Sequence, residues 1–388
     1  MATTLEIVDE GVIWKDVATS PDVRSALKGT SANLGGGHLV HAMQVGLGRT
    51  SPDARAMLVR SLDYGRTWSQ PAPIHVSKSQ GDNSNSLNPT QALLAHYGNG
   101  DLRAVMSVNH YVDSNHPRWQ KSNGGWLGHK AVLAGSSDQG DTWHRWADLQ
   151  PPPIEGGFFV SGSVPFQLDN GELMVVIEPM YHGSTEHWRH EAAVMFSGDN
   201  GITWGRKSVI AKDPAGRVFY FDPKLTQLTS GQWVCLLWTH DTDTDTSLQT
   251  SLSRSEDGHV WSPVEQTPLW GFLTVPTGLA DGRLLAVYNH RRNPQGIRCC
   301  LSEDSGRTWN MHEETVLWDR TARRVTCELV HGSESRNWQG SLLDEMFADF
   351  DFGVPHAIEL EDGTVWITFY ATEADNIMHQ RYLRMKVK

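Results

Sequence analysis

Features that mark several other classes of protein are scarce or missing in this 388-residue sequence. Its four cysteines fit no zinc-ligand spacing, and two of them are adjacent, so we expect buried thiols and a reducing compartment. No apolar run approaches the roughly 18 to 20 residues that a membrane helix requires. The N-terminal stretch lacks the basic and apolar regions of a secretory signal, which predicts a cytoplasmic protein with no membrane partner. The cysteines are Cys235, Cys299, Cys300 and Cys327.

Basic residues are also few, since 33 Lys and Arg face 45 Asp and Glu and the net charge is −12. They form no stripe interleaved with aromatic residues, so nucleic acid is not expected as a partner. No group of His, Cys and Glu has convincing metal-ligand spacing, and no P-loop or dinucleotide fingerprint is present. The sequence therefore predicts neither a metal nor a cofactor.

Helical periodicity is nearly absent, and short apolar runs separated by tight turns take its place. Five turn signals each stand between two such runs, which predicts five hairpins. They are "YGNGD" (97–101), "LDNGE" (168–172), "LTSGQ" (228–232), "LADGR" (279–283) and "LEDGT" (360–364).

An octapeptide with the pattern S-x-D-x-G-x-T-W alternates with these hairpins. In such a turn the Asp accepts backbone N–H bonds, the Gly supplies a positive φ and the Trp packs on the sheet, so we expect a structural staple. A degenerate fifth copy, "RSEDGHVW" (254–261), is aligned with Arg254 in the Ser position and Glu256 in the Asp position. The four regular copies are "SLDYGRTW" (61–68), "SSDQGDTW" (136–143), "SGDNGITW" (197–204) and "SEDSGRTW" (302–309).

Each repeating unit thus has a strand A, a tight turn, a strand B, a long loop, a strand C, the octapeptide turn and a strand D. Repeated four-stranded antiparallel units are typical of a β-propeller. Six units fit the chain, which predicts an all-β, six-bladed propeller forming one domain over residues 1–388. The last blade lacks an outer strand, and "TLEIVDEG" at the N-terminus is expected to supply it. Residues 319–349 form an insertion before that blade.

The octapeptide resembles the Asp box, also called the BNR repeat, of the sialidase superfamily. The resemblance covers nearly the whole chain and implies a six-bladed propeller that acts on carbohydrate. In those relatives an F/Y-R-I-P motif supplies the first of three arginines that bind a carboxylate, but residues 32–43 read "ANLGGGHLVHAM" here. The resemblance is therefore to a sialidase-like protein without the arginine-triad motifs, in which Arg291 is the one remaining candidate.

Strand directions place the A–B turns and the octapeptides on one face, so D–A and B–C loops form the opposite face, where ligand sites are expected. Acidic and imidazole side chains recur there at strand-A starts and strand-B ends. The predicted catalytic residues are Asp222, Glu178, Asp351 and His110. The predicted substrate-binding residues are Tyr111, Tyr181, His182, Tyr220, His240, His290 and Arg291.

Each candidate also has a structural interpretation. Asp222 precedes Pro223 and could cap a strand, and Glu178 ends a very apolar strand, where it could form an ion pair. Asp351 could supply a second carboxylate or bind a cation. His110 and Tyr111 could instead pack a loop.

Three functions follow from this set. The first is an exo-acting glycoside hydrolase with two carboxylates from among Asp222, Glu178 and Asp351, acting on a sugar other than sialic acid. The second is a polysaccharide lyase in which His110 with Tyr111 or Tyr181 removes a proton from a uronate. The third is a propeller that binds glycans without cleaving them. Carbohydrate is the expected partner in all three, and the sequence leaves the oligomeric state open.

Overall fold

The chain folds as an all-β, six-bladed β-propeller, in agreement with the prediction. The structure is a computed structural model that describes residues 5–17, 24–47, 53–77, 87–109, 119–120, 125–126, 129–149, 157–159, 163–182, 188–320, 351–373, 375 and 377–388. Within these ranges the single helical element is a 3-10 turn, η1 (Met311–Glu313). The insertion predicted at 319–349 falls almost entirely outside the described residues.

The backbone divides into two compact units, which are described separately. The N-terminal unit contains residues 16–208, and the C-terminal unit contains residues 1–15 and 209–388. The first strand of the chain, β1 (Leu5–Trp14), belongs to the sixth blade.

The first three sheets follow one another along the chain. The first has the order β2-β3-β4-β5, the second β6-β12-β11-β8-β7, and the third β13-β15-β16-β17 with β14 also paired to β15. A separate hairpin is formed by β9 and β10. The strands are β2 (Ser25–Gly35), β3 (His38–Gly46), β4 (Arg55–Ser61), β5 (Ala72–Pro73), β6 (Val76–Ser77), β7 (Gln91–His96), β8 (Leu102–Asn109), β9 (Trp119–Gln120), β10 (Gly125–Trp126), β11 (His129–Ser136), β12 (Trp143–Asp148), β13 (Gly157–Phe159), β14 (Phe166–Gln167), β15 (Leu173–His182), β16 (Trp188–Ser197) and β17 (Arg206–Lys212).

The last three sheets repeat the pattern. The fourth has the order β18-β19-β21-β22 with β20 also on β19, the fifth β23-β24-β25-β26, and the sixth β1-β29-β28-β27. The strands are β18 (Val218–Gln227), β19 (Trp233–Asp241), β20 (Thr246–Ser247), β21 (Ser251–Ser255), β22 (Glu265–Gln266), β23 (Thr274–Gly278), β24 (Leu284–His290), β25 (Gly296–Ser302), β26 (Thr315–Asp319), β27 (Phe352–Glu359), β28 (Thr364–Thr372) and β29 (Met378–Val387).

The N-terminal strand completes the sixth blade, as the sequence predicted. β1 pairs antiparallel with β29 from Leu5 opposite Val387 to Trp14 opposite Gln380. Three sheets carry a fifth strand instead of the expected four. These additional strands are two or three residues long, too short to leave a periodic signal in the sequence.

The apolar composition of the central strands allows them to be buried on both faces of their sheets. All residues of β24 and of β28 are buried. In the C-terminal unit one apolar cluster joins Val287 of β24 to Ile367 of β28 and Leu383 of β29. Buried aliphatic side chains between neighbouring sheets thus hold the blades of this unit together.

The octapeptides are staples, as their composition predicted. In the first copy Ser61 Oγ accepts a bond from the Gly65 amide at 2.8 Å, and Asp63 accepts bonds from the Thr67 amide at 2.9 Å and hydroxyl at 2.6 Å. Trp68 Nε1 donates to the Gly65 carbonyl at 2.9 Å. The Ser and Asp bonds recur in the copies at 136–143, 197–204 and 302–309. The Trp bond recurs in the copies at 136–143 and 197–204, whereas Trp309 Nε1 of the last copy is buried without a hydrogen-bond partner.

The alignment of the fifth copy is corrected by its hydrogen bonds. Ser255, not Arg254, accepts from the Gly258 amide at 2.9 Å, and Asp257, not Glu256, accepts from the Val260 amide at 2.9 Å. This turn has one residue fewer between Ser and Gly than the other copies. A one-residue deletion had shifted the pattern in the sequence while the bonding was preserved.

Candidate active site

Asp222 lies on a β-bulge in the middle of β18 in the C-terminal unit, whereas the sequence analysis had placed it at the start of that strand, which begins at Val218. The φ of Asp222 is +48°, and the register of β18 against β19 shifts between Phe221 and Lys224. The side chain is 34% exposed, which leaves the carboxylate accessible to a ligand. A bulge of this kind turns a side chain away from the regular alternation of the strand. Asp222 is therefore the most accessible acidic candidate among those predicted in this unit.

Two basic side chains accompany Asp222. Lys224 Nζ lies 3.5 Å from Asp222 Oδ1, and the Lys224 side chain is only 8% exposed. His356, on β27, is half-buried as a residue, and loss of solvent around its ring, followed by the nearby charge of Lys224, lowers the pKa of His356 to about 4. The imidazole is consequently neutral near pH 7. Asp222, Lys224 and His356 are called the β18–β27 cluster below.

A stack of aromatic rings lies beside the end of β19. Trp238 stacks on Phe272 with ring centroids 4.1 Å apart and contacts Phe221 at 4.8 Å. His240 is buried, meets the edge of Trp238 at 6.0 Å and bonds Asp245 at 3.2 Å through Nε2. These contacts hold His240 in place near the end of β19, the strand end that the sequence analysis assigned to the ligand face.

Tyr220 stands opposite Thr239 in the β18–β19 ladder. It is buried, and that burial, followed by the charge of Asp213, raises the pKa of its hydroxyl. Tyr220 is therefore a neutral hydrogen-bonding group near pH 7.

Arg291 joins the fifth and sixth blades at the end of β24. Its guanidinium carbon lies 5.2 Å from the ring centroids of both Phe272 and Phe352, and its Nη2 donates to the Phe352 carbonyl at 3.1 Å. Cation–π contacts on two rings hold a guanidinium in one orientation. Arg291 thereby connects the aromatic stack to the start of β27.

Asp351 is fully buried in an ion pair with Arg320. Arg320 Nη1 also donates to Gln295 Oε1 at 2.8 Å, and Gln295 Nε2 donates to the Arg291 carbonyl at 3.0 Å. A buried carboxylate needs such compensation for its lost hydration. The structure thus gives Asp351 an anchoring role at the β24 and β27 ends that the sequence analysis did not foresee, and its catalytic role stays a prediction.

His290 is buried beside Arg291 and bonds the Pro294 carbonyl at 3.2 Å through Nδ1. Burial, and then the Arg298 charge, lower the pKa of His290. Arg298 in turn donates to Glu314 at 2.6 Å, and Glu314 also accepts from Tyr288. The proposed binding role of His290 would therefore have to be exercised by a neutral imidazole.

Glu178 belongs to the N-terminal unit, on β15. It is buried and lies 3.2 Å from His190 Nε2, across the β15–β16 hairpin. The sequence analysis predicted an ion pair as the structural role of Glu178, and the partner that the structure provides is His190. The pair brings an acid and an imidazole into one buried contact.

Four predicted residues have no described side chain. Tyr181 and His182 end β15 opposite Arg189 and Trp188, and only their backbone pairing is described. His110 and Tyr111 lie outside the described residues, as do Cys327 and Asp349. The roles assigned to them from the sequence stay predictions.

The other three cysteines, Cys235, Cys299 and Cys300, are buried free thiols. Over the described ranges no group of three or more His, Cys, Asp or Glu side chains could hold a metal ion. In that same part of the chain no helix is long and apolar enough to cross a membrane.

The sequence analysis missed Lys224, His356 and Arg320. A signal for the first two exists, because an Xaa-Pro-Yaa segment recurs near the start of the first strand in five blades. Lys224 and His356 both occupy its Yaa position. The five segments are Asn88-Pro89-Thr90, Val164-Pro165-Phe166, Asp222-Pro223-Lys224, Val275-Pro276-Thr277 and Val354-Pro355-His356.

Solved structures with the same fold include glycoside hydrolases. A Dyadobacter fermentans protein of unknown function aligns at 18% identity over 99% of both chains, with a TM-score of 0.71. An α-L-arabinanase of Penicillium chrysogenum, complexed with arabinobiose, aligns at 15% identity over 99% of this chain and 98% of that one, with a TM-score of 0.63. A leech intramolecular trans-sialidase aligns at 13% identity over 94% and 68%, with a TM-score of 0.55. No curated protein sequence matches the chain.

The family model of the BNR repeat-like domain matches residues 117–367, which is most of the chain. The protein therefore belongs to the BNR repeat-like domain family, within the sialidase-like propellers that its octapeptides indicated. The identities to the solved structures are low, so these establish the fold alone.

Proposed function

We propose that this protein is a glycoside hydrolase in which Asp222 is a catalytic carboxylate. The observation that carries the proposal is the placement of Asp222: an accessible carboxylate on a bulge of the first strand of its blade, beside a buried ammonium group. Glycosidic bond cleavage in most such enzymes requires a pair of carboxyl groups that flank the bond. The arabinanase and trans-sialidase with this fold support the same class of reaction.

Asp222 is suited to the role of nucleophile or general base. An ion-paired carboxylate carries the negative charge that attack on the anomeric carbon, or on a proton of water, requires. In this scheme Asp222 stabilises the positive charge that develops on the sugar ring.

Glu178 and Asp351 are the two candidates for the second carboxyl group. Asp351 is held in a buried ion pair with Arg320, a contact typical of a structural anchor. Glu178 forms a buried contact with His190 at 3.2 Å. Substituting each by its isosteric amide, Glu178→Gln or Asp351→Asn, distinguishes the two candidates. The amide keeps the side-chain volume but removes the acid, so kcat should fall only for the residue that acts in the reaction.

The substrate is proposed to be a neutral furanoside of the arabinan type. The support is the fold shared over nearly the whole length of both chains with an arabinanase whose complex contains arabinobiose. We expect the enzyme to be exo-acting, which means that it releases one sugar at a time from a chain end, as the sequence analysis predicted.

The test is hydrolysis of 4-nitrophenyl glycosides, including the α-L-arabinofuranoside, together with arabinobiose and uronate-containing polysaccharides. We expect aryl release by the wild type and a loss of about 10³-fold or more in kcat for Asp222→Asn. Glu256→Gln, on the exposed octapeptide turn at the opposite face of the same blade, is the matched control and should retain full activity. New ultraviolet absorbance from the uronate polymers, with Asp222→Asn still active, would instead support the lyase hypothesis.

A further inference from the structure

The β18–β27 cluster occupies a repeated place in the propeller. In β2, β18 and β27 the register shifts at the same point, between Leu27 and Thr30, Phe221 and Lys224, and Gly353 and His356. The residue after the first of each pair has a positive φ, at Lys28, Asp222 and Val354. Thr30, Lys224 and His356 therefore stand at equivalent positions, directly after the bulge.

A threonine at this position serves the fold without a charge. Thr30 donates to the Ala92 carbonyl at 3.1 Å and accepts from the Leu94 amide at 3.1 Å, which fastens β2 to β7. Thr277, the Yaa residue of the fifth blade, donates to the Ala357 carbonyl at 3.4 Å and so joins β23 to β27. At this position, therefore, a short hydroxyl side chain is sufficient to link neighbouring blades by hydrogen bonds.

Lys224 departs from that pattern because it places a charged group in a buried position. Its side chain is 8% exposed, and burial of an ammonium group is unfavourable unless a counter-charge compensates for the lost water. The Asp222 carboxylate, two residues earlier on the same strand, provides the counter-charge. The nearby His356 ring, which feels the Lys224 charge, is neutral near pH 7 and adds no further charge to the cluster.

We propose that Lys224 is a positioning residue that fixes the carboxylate of Asp222 for attack on the substrate. This inference rests on the proposed function, because it takes Asp222 as the catalytic carboxylate. The Lys224 ammonium lies 3.5 Å from Asp222 Oδ1 and is itself held by burial, so it favours one orientation of the partly exposed carboxylate. Lys224 itself need not touch the sugar.

The test compares Lys224→Thr, which installs the residue found at equivalent positions in other blades, with Lys224→Arg, which keeps the charge. We expect Lys224→Thr to fold and to lose about 30-fold or more in kcat with KM changed by less than about 3-fold, whereas Lys224→Arg restores kcat to within about 5-fold of the wild type. The split between kcat and KM, and rescue by Arg, would not arise from a purely structural role.

Crystal structures of the wild type and Lys224→Thr provide a readout that needs no substrate. We expect the Asp222 carboxylate to leave its wild-type rotamer when the ammonium is removed. The His356 pKa, followed by NMR of its ring protons, should rise in Lys224→Thr because a nearby positive charge is lost.

The outcomes separate the two proposals. An unmoved Asp222 with unchanged kcat in Lys224→Thr would overturn the positioning role. A loss of kcat that Arg does not restore would overturn it as well. A wild type that cleaves no glycoside, with Asp222 displaced in Lys224→Thr, would uphold the positioning role and refute the proposed hydrolase.

Discussion

Asp222 and Val354 adopt the same unusual backbone conformation at the same place in two blades. Their φ values are +48° and +46°, each precedes a proline, and each lies at a register shift. Because the conformation also occurs at Val354, the bulge is a property of the blade rather than of catalysis. The sixth blade uses the bulge for an apolar side chain, and the fourth uses it to present a carboxylate.

Val354→Asn should stabilise the protein. A β-branched residue with positive φ costs about 1 to 2 kcal/mol, and Asn tolerates this region far better. We expect the free energy of unfolding to rise by about 1 kcal/mol in urea titrations. The control is Val275→Asn, before the proline of the fifth blade, where φ is not positive and the side chain is buried. That variant should be destabilised, and equal effects at both sites would contradict the strain argument.

His356 should make stability depend on pH below neutrality. Desolvation, with Lys224 as the second cause, lowers the pKa of His356 from 6.5 to about 4. The unfolded state therefore binds a proton that the native state does not as the pH falls from about 6.5 to about 4. Over this window the native state loses up to about 3 kcal/mol.

The measurement is the difference in unfolding free energy between wild type and His356→Gln at a series of pH values. This difference should change between pH 6.5 and pH 4 and be constant above pH 7.5. A difference that is the same at every pH would show that His356 is not desolvated in the native state.

The contact between Glu178 and His190 should contribute to the free energy of unfolding, and two substitutions of Glu178 separate this contribution from a role in catalysis. Glu178→Leu removes a buried hydrogen-bonding partner of His190 and is expected to cost about 3 kcal/mol. Glu178→Gln preserves the shape and a hydrogen bond, and it should cost less than about 1.5 kcal/mol. Thermal unfolding of the two variants measures both values.

The catalytic hypothesis for Glu178 is decided by the same amide variant. If Glu178→Gln keeps its stability and loses hydrolysis, Glu178 acts in the reaction. If it keeps both, the contact with His190 is purely structural.

The octapeptide staples should weaken in acid. Hydrogen bonds from the Thr hydroxyl and amide lower the pKa of Asp63 and of Asp199 to about 2. A depressed carboxyl pKa contributes stability that is present above about pH 4 and is lost as the pH falls towards 2. We expect Asp63→Asn to lower the Tm at pH 6, with the difference from wild type shrinking towards pH 2. Thr67→Val, which removes the largest cause of the shift, should show a smaller version of this pH dependence.

The pattern of the octapeptides and hairpin turns was sufficient to predict the propeller. The bonds that define each staple lie within eight residues, so residue types at fixed offsets reveal them. The same property explains the one misalignment: in the copy at 254–261 a deleted residue moved the spacing, and only the hydrogen bonds of Ser255 and Asp257 showed the correct one.

The candidate site was predicted less completely. Asp222 was found because an acidic residue before a proline can be recognised in an apolar run, although the strand begins earlier than expected, at Val218. Lys224 and His356 were missed because they lie 132 positions apart in the chain and only a shared register position relates them. The burial of Asp351 under Arg320 likewise depends on where two distant strand ends meet.

Local chemistry, which the sequence determines by itself, therefore set the blade, its turns and the strand that completes the sixth sheet. The tertiary structure decided which charges meet. An ion pair or a desolvated imidazole depends on separations of a few ångströms between strands, and a single bulge changes those separations without altering the hydrophobic pattern. For that reason the residue types near a strand start predicted a carboxylate site, while the partners of that carboxylate emerged only from the fold.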